Sequence, residues 1–308
     1  MLSPYKMYTR GELYRYSMIP RSLGRQHDEM DDNEKSRMLP GAWEPVHSRT
    51  KWTGHVPEWI SCLALIALGS WADRQMPFKR ELKPQLTDPS IAYHHTPAEL
   101  QQVPTWLLWR ISLWLPIAIV TILALFFPPR AYSAARLRLA SELWLGVLSS
   151  FALTFFVICQ VKVSVGRLRP DFLARCIPRD GECTGDPKII TEGRKSFPSG
   201  HSALSFASLG FVSLVLAARL AHTNCCGGRL WKLCVAAIPW LIALHVALSR
   251  LSDYWHHWDD VLTGSLLGNL AAALTYTLRF LSPLDGLWIR ELGRTDLSDL
   301  SHPSQNAV

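Results

Sequence analysis

The sequence predicts an all-α, polytopic membrane protein, a six-transmembrane-helix bundle with its functional site on the non-cytosolic face. Of the 308 residues, 48% are hydrophobic and 19% are charged, and the apolar residues gather into blocks that carry almost no charge. Six blocks come close to the length of about 20 residues that a helix needs to cross a bilayer. Several of the thirteen tryptophans lie at the edges of these blocks, where indole rings favour the membrane interface.

The six predicted spans follow one another along the chain. The first, from Trp59 to Ala72, is the weakest because it is short, so a five-span bundle is the alternative. The second covers Ile111 to Phe127 and extends back towards Pro104. The other four are Leu143 to Val161, Ser202 to Ala218, Leu233 to Ser249 and Val261 to Leu278.

Two short basic loops predict the orientation of the bundle. They join the second span to the third and the fourth to the fifth, and their cations are Arg130, Arg136 and Arg138, and Arg219, Arg229 and Lys232. Short loops rich in lysine and arginine stay in the cytosol, so the amino terminus is predicted to be cytosolic as well. The loop from Lys162 to Gly200 is also basic, but several of its cations have a plausible role in a site.

The predicted membrane domain covers residues 57–281. Residues 1–56 form a polar cytosolic tail without an apolar segment, so we expect no signal peptide, and residues 282–308 form a second cytosolic tail. The net charge of +7 is modest and forms no clustered basic patch, which argues against nucleic-acid binding. The expected partner is the membrane itself, and a homo-oligomer is compatible with the sequence.

Three polar segments lie at the ends of apolar blocks, and the predicted topology brings all three to the non-cytosolic face. Their candidate site residues are Lys162 and Arg169; Ser199, Gly200 and His201; and Arg250, His256 and Asp260. Phosphoryl transfer needs positive charge around the phosphoryl oxygens, a nucleophile, and a proton for the leaving group. The three cations can supply the charge, and a Ser-Gly turn at a helix start can supply backbone N–H groups.

Two histidines can supply the nucleophile and the acid. His256 and Asp260 are four residues apart, which would place them on one face of a helix, with the carboxylate orienting the ring as a nucleophile. His257 is a rival nucleophile, and His201 is the candidate general acid. We see no HExxH motif, CxxC pair or carboxylate cluster that would hold a metal, so we expect metal-independent chemistry without a cofactor.

The three segments resemble the signature of the type 2 phosphatidic acid phosphatase superfamily, and this resemblance runs from about Trp59 to Leu281. Further stretches are similar to the eukaryotic lipid phosphate phosphatase branch that also hydrolyses diacylglycerol pyrophosphate. They are Arg169-Pro-Asp-Phe, Cys183-Thr-Gly-Asp-Pro, Glu192-Gly-Arg-Lys-Ser-Phe-Pro-Ser-Gly-His201 and Asp253-Tyr-Trp-His-His-Trp. Cys176 and Cys183 lie in the large non-cytosolic loop, where an oxidising lumen would allow a disulfide; the sequence leaves that pairing open.

The resemblance implies a magnesium-independent enzyme that removes phosphate from phosphatidate, lysophosphatidate and diacylglycerol pyrophosphate in a bilayer. It assigns phosphate binding to Lys162, Arg169, Ser199, Gly200 and Arg250, a phosphohistidine to His256, its orientation to Asp260, and leaving-group protonation to His201. The membrane would be an endomembrane (endoplasmic reticulum, Golgi or vacuole) or the plasma membrane, with a luminal or extracellular site. The alternatives are a sphingoid-phosphate or polyprenyl-diphosphate phosphatase, and a non-catalytic membrane protein that binds lipid phosphates.

Overall fold

The computed structural model describes residues 55–127, 136–221 and 229–280, so both predicted tails lie outside the described residues. Within these ranges the chain is mostly helical, with one short antiparallel hairpin, β1 (Pro178–Arg179) and β2 (Glu182–Cys183). The α-helices are α1 (Val56–Asp73), α2 (Thr105–Phe126), α3 (Arg136–Val165), α4 (Phe172–Cys176), α5 (Pro187–Gly193), α6 (Gly200–Ala221), α7 (Arg229–Ser252) and α8 (Trp258–Arg279).

Five of these helices, α2, α3, α6, α7 and α8, are long and apolar enough to cross a membrane, and each contains one predicted span. The remaining predicted span falls within α1, which is helical throughout but, with only 18 residues, contains no uninterrupted apolar stretch as long as those of the five. Pro57, Glu58 and Asp73 at its two ends lower its mean hydropathy. The structure therefore confirms a helical membrane protein with five candidate spans, and the sixth span stays a prediction.

Helix α2 contains one wide turn, a π-helical segment from Arg110 to Trp114 that ends just before Pro116. Proline has no N–H to donate, and its ring crowds the carbonyl four residues earlier, which here belongs to Ser112. A wider turn relieves that crowding while the helix continues.

Helix α6 lies at the centre of the bundle and packs against α3, α7 and α8. Helix α8 approaches it closely through two glycines four residues apart, Gly264 and Gly268, an arrangement typical of tight contacts between membrane helices. A Cβ atom at Gly264 would lie 2.5 Å from the Ser199 carbonyl oxygen, and one at Gly268 would lie closer still to that of Ala203. These glycines thus bring the second and third turns of α8 against the start of α6.

An ion-pair cluster fixes α1 at the opposite end of the bundle. Arg279 of α8 pairs with Glu58 of α1 and, at 3.1 Å, with Glu142 of α3, while His55 Nε2 lies 3.0 Å from Glu142. Glu142 is buried, so these partners provide the compensation that a buried carboxylate requires. The cluster holds α1 against α3 and α8.

The connection between α3 and α6 carries the first two motif segments and is itself folded. It contains α4, the hairpin and α5. A disulfide joins Cys176 at the end of α4 to Cys183 in β2, a pairing that the sequence left open. The connection starts at Gly166, which has a φ of +56°. A Cβ atom there would collide with the Phe78 carbonyl oxygen, so both the backbone conformation and the close approach require glycine.

Candidate active site

The three motif segments meet at one end of the bundle. Lys162 lies in the last turn of α3, Arg250 in the last turn of α7, and Asp260 in the first turn of α8. The Ser199 N–H donates to the Asp260 carbonyl oxygen at 3.0 Å, and a Cβ atom at Gly200 would lie 3.4 Å from Lys162 Nζ. Residues separated by about a hundred positions in the sequence therefore form one cluster.

Asp260 is the centre of this cluster and is fully buried. Its side chain accepts hydrogen bonds from Ser196 Oγ at 2.6 Å, Arg167 Nη1 at 2.7 Å and the His257 backbone N–H at 3.0 Å. Neither Arg167 nor Ser196 is among the residues predicted from the sequence. A buried carboxylate needs a cation as its partner, and Arg167 is one of two arginines that follow α3. That requirement could have indicated Arg167.

The prediction that His256 and Asp260 share one face of a helix is wrong. His256 lies in the connection before α8, which begins at Trp258, and its Nδ1 is 3.8 Å from Asp260 Oδ2, longer than a hydrogen bond. The rival His257 places its Nδ1 at 3.2 Å from the same oxygen. Both rings thus flank one carboxylate, because the chain turns there before the helix starts.

His256 is the more deeply buried of the two rings, with only 4% of its surface exposed. Burial lowers its pKa to about 3, and the nearby positive charges of Arg169 and Lys162 act in the same direction, while the Asp260 carboxylate opposes them. Its Nδ1 has no hydrogen-bond partner among the described residues. His256 is therefore a neutral imidazole beside two of the predicted phosphate-binding cations.

Arg169 is buried and only partly satisfied. Its guanidinium pairs with the Glu192 carboxylate, donates from Nε to the Glu192 carbonyl oxygen at 2.9 Å, and lies 4.4 Å from the centre of the Trp255 ring. Its Nη1 is buried without a hydrogen-bond partner in the described part of the chain. Burial also lowers the pKa of this guanidinium.

Arg250 is completely buried and is held by three side chains. Its Nε donates to Ser249 Oγ at 3.0 Å, its Nη1 to Gln101 Oε1 at 2.7 Å, and its Nη2 to Asp253 Oδ2 at 2.7 Å. A guanidinium has five N–H bonds, so two remain to bind an anion. Neither Gln101 nor Asp253 is among the site residues predicted from the sequence.

The Ser-Gly-His segment begins α6 as predicted. Ser199 is buried and its hydroxyl accepts a hydrogen bond from Ser202 Oγ at 3.0 Å. His201 lies in the first turn, where its Nε2 is 3.1 Å from the Val103 carbonyl oxygen. The first N–H groups of a helix have no partner within it, so those of this turn are placed to bind an anion.

The side chains of His257, Asp259 and Asp260 form a group that the sequence analysis overlooked, since their ligand atoms lie within 4.8 Å of one another. Arg167 Nη1 contacts both carboxylates, at 2.6 Å from Asp259 and 2.7 Å from Asp260. The guanidinium thus already supplies the positive charge that a metal ion would bring there.

Comparison with known proteins gives consistent matches. The family model described as "PAP2 superfamily" matches residues 143–283. "Lipid phosphate phosphatase 2" from Arabidopsis thaliana is 34% identical over 242 residues, which are 75% of this chain and 79% of that protein. "Diacylglycerol pyrophosphate phosphatase 1" from Saccharomyces cerevisiae is 31% identical over 253 residues, 78% of this chain and 84% of that protein. No solved structure matches the chain at a significant level.

Proposed function

The chain belongs to the PAP2 superfamily and is a lipid phosphate phosphatase, and we propose that it hydrolyses phosphatidate, lysophosphatidate and diacylglycerol pyrophosphate through a phosphohistidine on His256. The observation that carries the mechanism is the buried N–H of Arg169 Nη1, which lacks a partner in the described part of the chain. A buried donor without a partner costs about 1–3 kcal/mol, a cost that a bound phosphate oxygen removes.

Substrate binding uses groups from all three segments. Lys162, Arg169 and Arg250 surround the phosphoryl oxygens, and the Ser199–Gly200 turn contributes backbone N–H groups at the start of α6. These donors are most effective in a buried site, where little water screens them. The chain can therefore neutralise the phosphoryl charge with its own side chains, and the reaction needs no metal ion.

The first step transfers the phosphoryl group to His256. Asp260 lies on the Nδ1 side of the ring, so Nε2 carries the lone pair that attacks phosphorus. As the new N–P bond forms, the bond from phosphorus to the lipid oxygen breaks and its electron pair stays on that oxygen. His201 gives this oxygen a proton, and Asp260 stabilises the positive charge that develops on the His256 ring.

The second step releases phosphate. Water attacks the phosphohistidine while His201, now neutral, accepts a proton from it, and the N–P bond breaks to return neutral His256. His201 is thus the acid of the first step and the base of the second, while His256 is the nucleophile of the first and the leaving group of the second.

The same proposal extends to the membrane. The α1 cluster that joins Glu58, Glu142 and Arg279 supports α1 as the sixth span of residues 57–281. With both tails cytosolic, the site then faces the lumen of an endomembrane compartment or the cell exterior, in line with the basic loops between spans. Substrate would reach the site from the outer half of the bilayer.

The test is phosphate release from phosphatidate and diacylglycerol pyrophosphate in detergent micelles that contain EDTA. We expect wild-type activity to survive chelation, His256→Ala to lose it, and His201→Ala to lose about 10²–10⁴-fold. The control is His245→Ala, because His245 is exposed on α7 and lies outside the cluster. Activity retained by His256→Ala would refute the assignment, and no release by folded wild type would favour a binding protein.

A further inference from the structure

The connection between α1 and α2, residues 74–104, lies over the end of the bundle that carries the active site; we call it the covering loop. It stands outside residues 143–283, which the family model matches, yet it contacts all three motif segments. The inference drawn from it rests on the proposed function, since it concerns the same phosphate site.

The first part of the covering loop is bound to the end of α3. The Phe78 N–H donates to the Val163 carbonyl oxygen at 2.8 Å, and Arg80 Nε donates to that of Val165 at 3.1 Å. Arg194, just before the second motif segment, donates from Nη1 to the Arg80 carbonyl oxygen at 3.3 Å. These contacts fix the loop to the helix that carries Lys162.

The middle part surrounds Trp255, which packs against the Arg169 guanidinium. Trp255 Nε1 donates to the Thr96 carbonyl oxygen at 3.0 Å, and His95 Nδ1 lies 2.6 Å from Asp171. Tyr93 stacks on Tyr254 with ring centres 4.6 Å apart. The loop therefore holds the aromatic surface on which Arg169 rests.

The last part reaches the catalytic groups themselves. Arg250 Nη1 donates to Gln101 Oε1 at 2.7 Å, and the Gln102 N–H donates to Asp253 Oδ2 at 3.1 Å, the oxygen that also accepts from Arg250 Nη2. The Val103 carbonyl oxygen lies 3.1 Å from His201 Nε2. A carbonyl oxygen can only accept, so Nε2 carries a proton and Nδ1 remains to exchange a proton with substrate.

We propose that Gln101 is a positioning residue, which orients the Arg250 guanidinium for phosphate from a loop outside the three motif segments. Arg250 has no exposed surface, and its other two side-chain partners, Ser249 and Asp253, belong to its own segment. Gln101 is itself buried and fixes Nη1 through a neutral oxygen. Asp253 already gives the buried Arg250 one carboxylate, as Glu192 does for Arg169. A neutral acceptor at position 101 orients the guanidinium without cancelling its remaining charge, whereas a second carboxylate would compete with the phosphate.

The test compares two adjacent glutamines. Gln101→Met keeps the side-chain volume and removes the acceptor, while Gln102→Met is the matched control because the Gln102 side chain is exposed. The readouts are kcat/KM for phosphatidate, the inhibition constant of orthovanadate, which mimics the transferring phosphoryl group, and the melting temperature in detergent. The inhibition constant does not depend on how much of the enzyme is folded.

We expect Gln101→Met to lower kcat/KM and to raise the orthovanadate inhibition constant by about tenfold or more, with a melting temperature like that of Gln102→Met. Gln101→Glu should raise that constant at least as much, because its carboxylate neutralises Arg250. Equal constants for Gln101→Met and Gln102→Met would overturn the proposal, as would a tighter constant for Gln101→Glu. Wild type that releases no phosphate in the same assay would instead refute the proposed function.

Discussion

Gly264 provides a sharp test of how packing positions the catalytic groups. It lies one turn after Asp260 on α8, and its Cα faces the Ser199 carbonyl oxygen at the start of α6. The Ser199 N–H also donates to the Asp260 carbonyl oxygen at 3.0 Å. A methyl group at position 264 should therefore separate the second motif segment from the third.

The size of the effect follows from the contact distance. The new Cβ atom would lie 2.5 Å from the Ser199 oxygen, about 0.9 Å short of the 3.4 Å at which ordinary van der Waals contact begins. Alanine favours a helix over glycine by roughly 1 kcal/mol, but overpacking of this kind costs about 1–3 kcal/mol, so the clash decides the sign. A shift of about 1 Å between catalytic groups lowers the rate by roughly 10²-fold.

Gly210→Ala is the matched control, since its Cβ atom would face α8 from α6 at an ordinary 3.4 Å from the Ala272 Cβ atom. We expect Gly264→Ala to lower kcat for phosphatidate by roughly 10²-fold, and Gly210→Ala to stay close to wild type. Melting temperatures of both variants in detergent would show how much protein is folded. Wild-type kcat in Gly264→Ala would refute the argument that this glycine sets the distance between Ser199 and Asp260.

Two further predictions concern the charges of the site. The proposed attack requires neutral His256, and burial holds the pKa of its ring at about 3. The nucleophile therefore stays neutral as the pH falls from roughly 7 to 4, and the acidic limb of kcat/KM should lie well below the ordinary histidine pKa of about 6.5. An acidic midpoint near 6.5 that is the same for phosphatidate and diacylglycerol pyrophosphate would contradict this. Glu192→Gln should lower kcat/KM by about tenfold, because a neutral amide holds the buried Arg169 guanidinium less firmly than the carboxylate does. The measurement is a steady-state assay in which Lys188→Gln is the control, because Lys188 is exposed on the same short helix.

The apolar blocks predicted the helices well because a membrane helix needs a long uncharged stretch, a requirement that is visible in sequence. The motif residues could be placed together for a related reason, since each lies where such a stretch ends. The first span was the weak prediction because it is short, and α1 is indeed the shortest of the six long helices, so its 18 residues include Glu58 and Asp73 near its ends.

The contacts made by loops could not be predicted in the same way. Arg167 and Ser196 reach Asp260, and Gln101 reaches Arg250, from irregular connections that have no hydrophobic period to reveal their path. The wrong prediction for His256 has the same origin. Its spacing of four residues from Asp260 suggested that both lie on one helix, but that helix begins at Trp258 and His256 lies in the connection before it. Sequence patterns thus predicted the three motif segments, while the structure identified the residues that contact them from outside, including the charged Arg167.

The most direct test of the mechanism is to identify the residue that carries the phosphoryl group. Enzyme mixed with ³²P-labelled phosphatidate would be quenched in alkaline detergent, where phosphohistidine survives, and the labelled peptide would be sequenced. We expect label on His256 that is lost in acid and is absent from His256→Ala. Label on His257, or continued turnover by an enzyme that never becomes labelled, would contradict the assignment of His256 as the nucleophile.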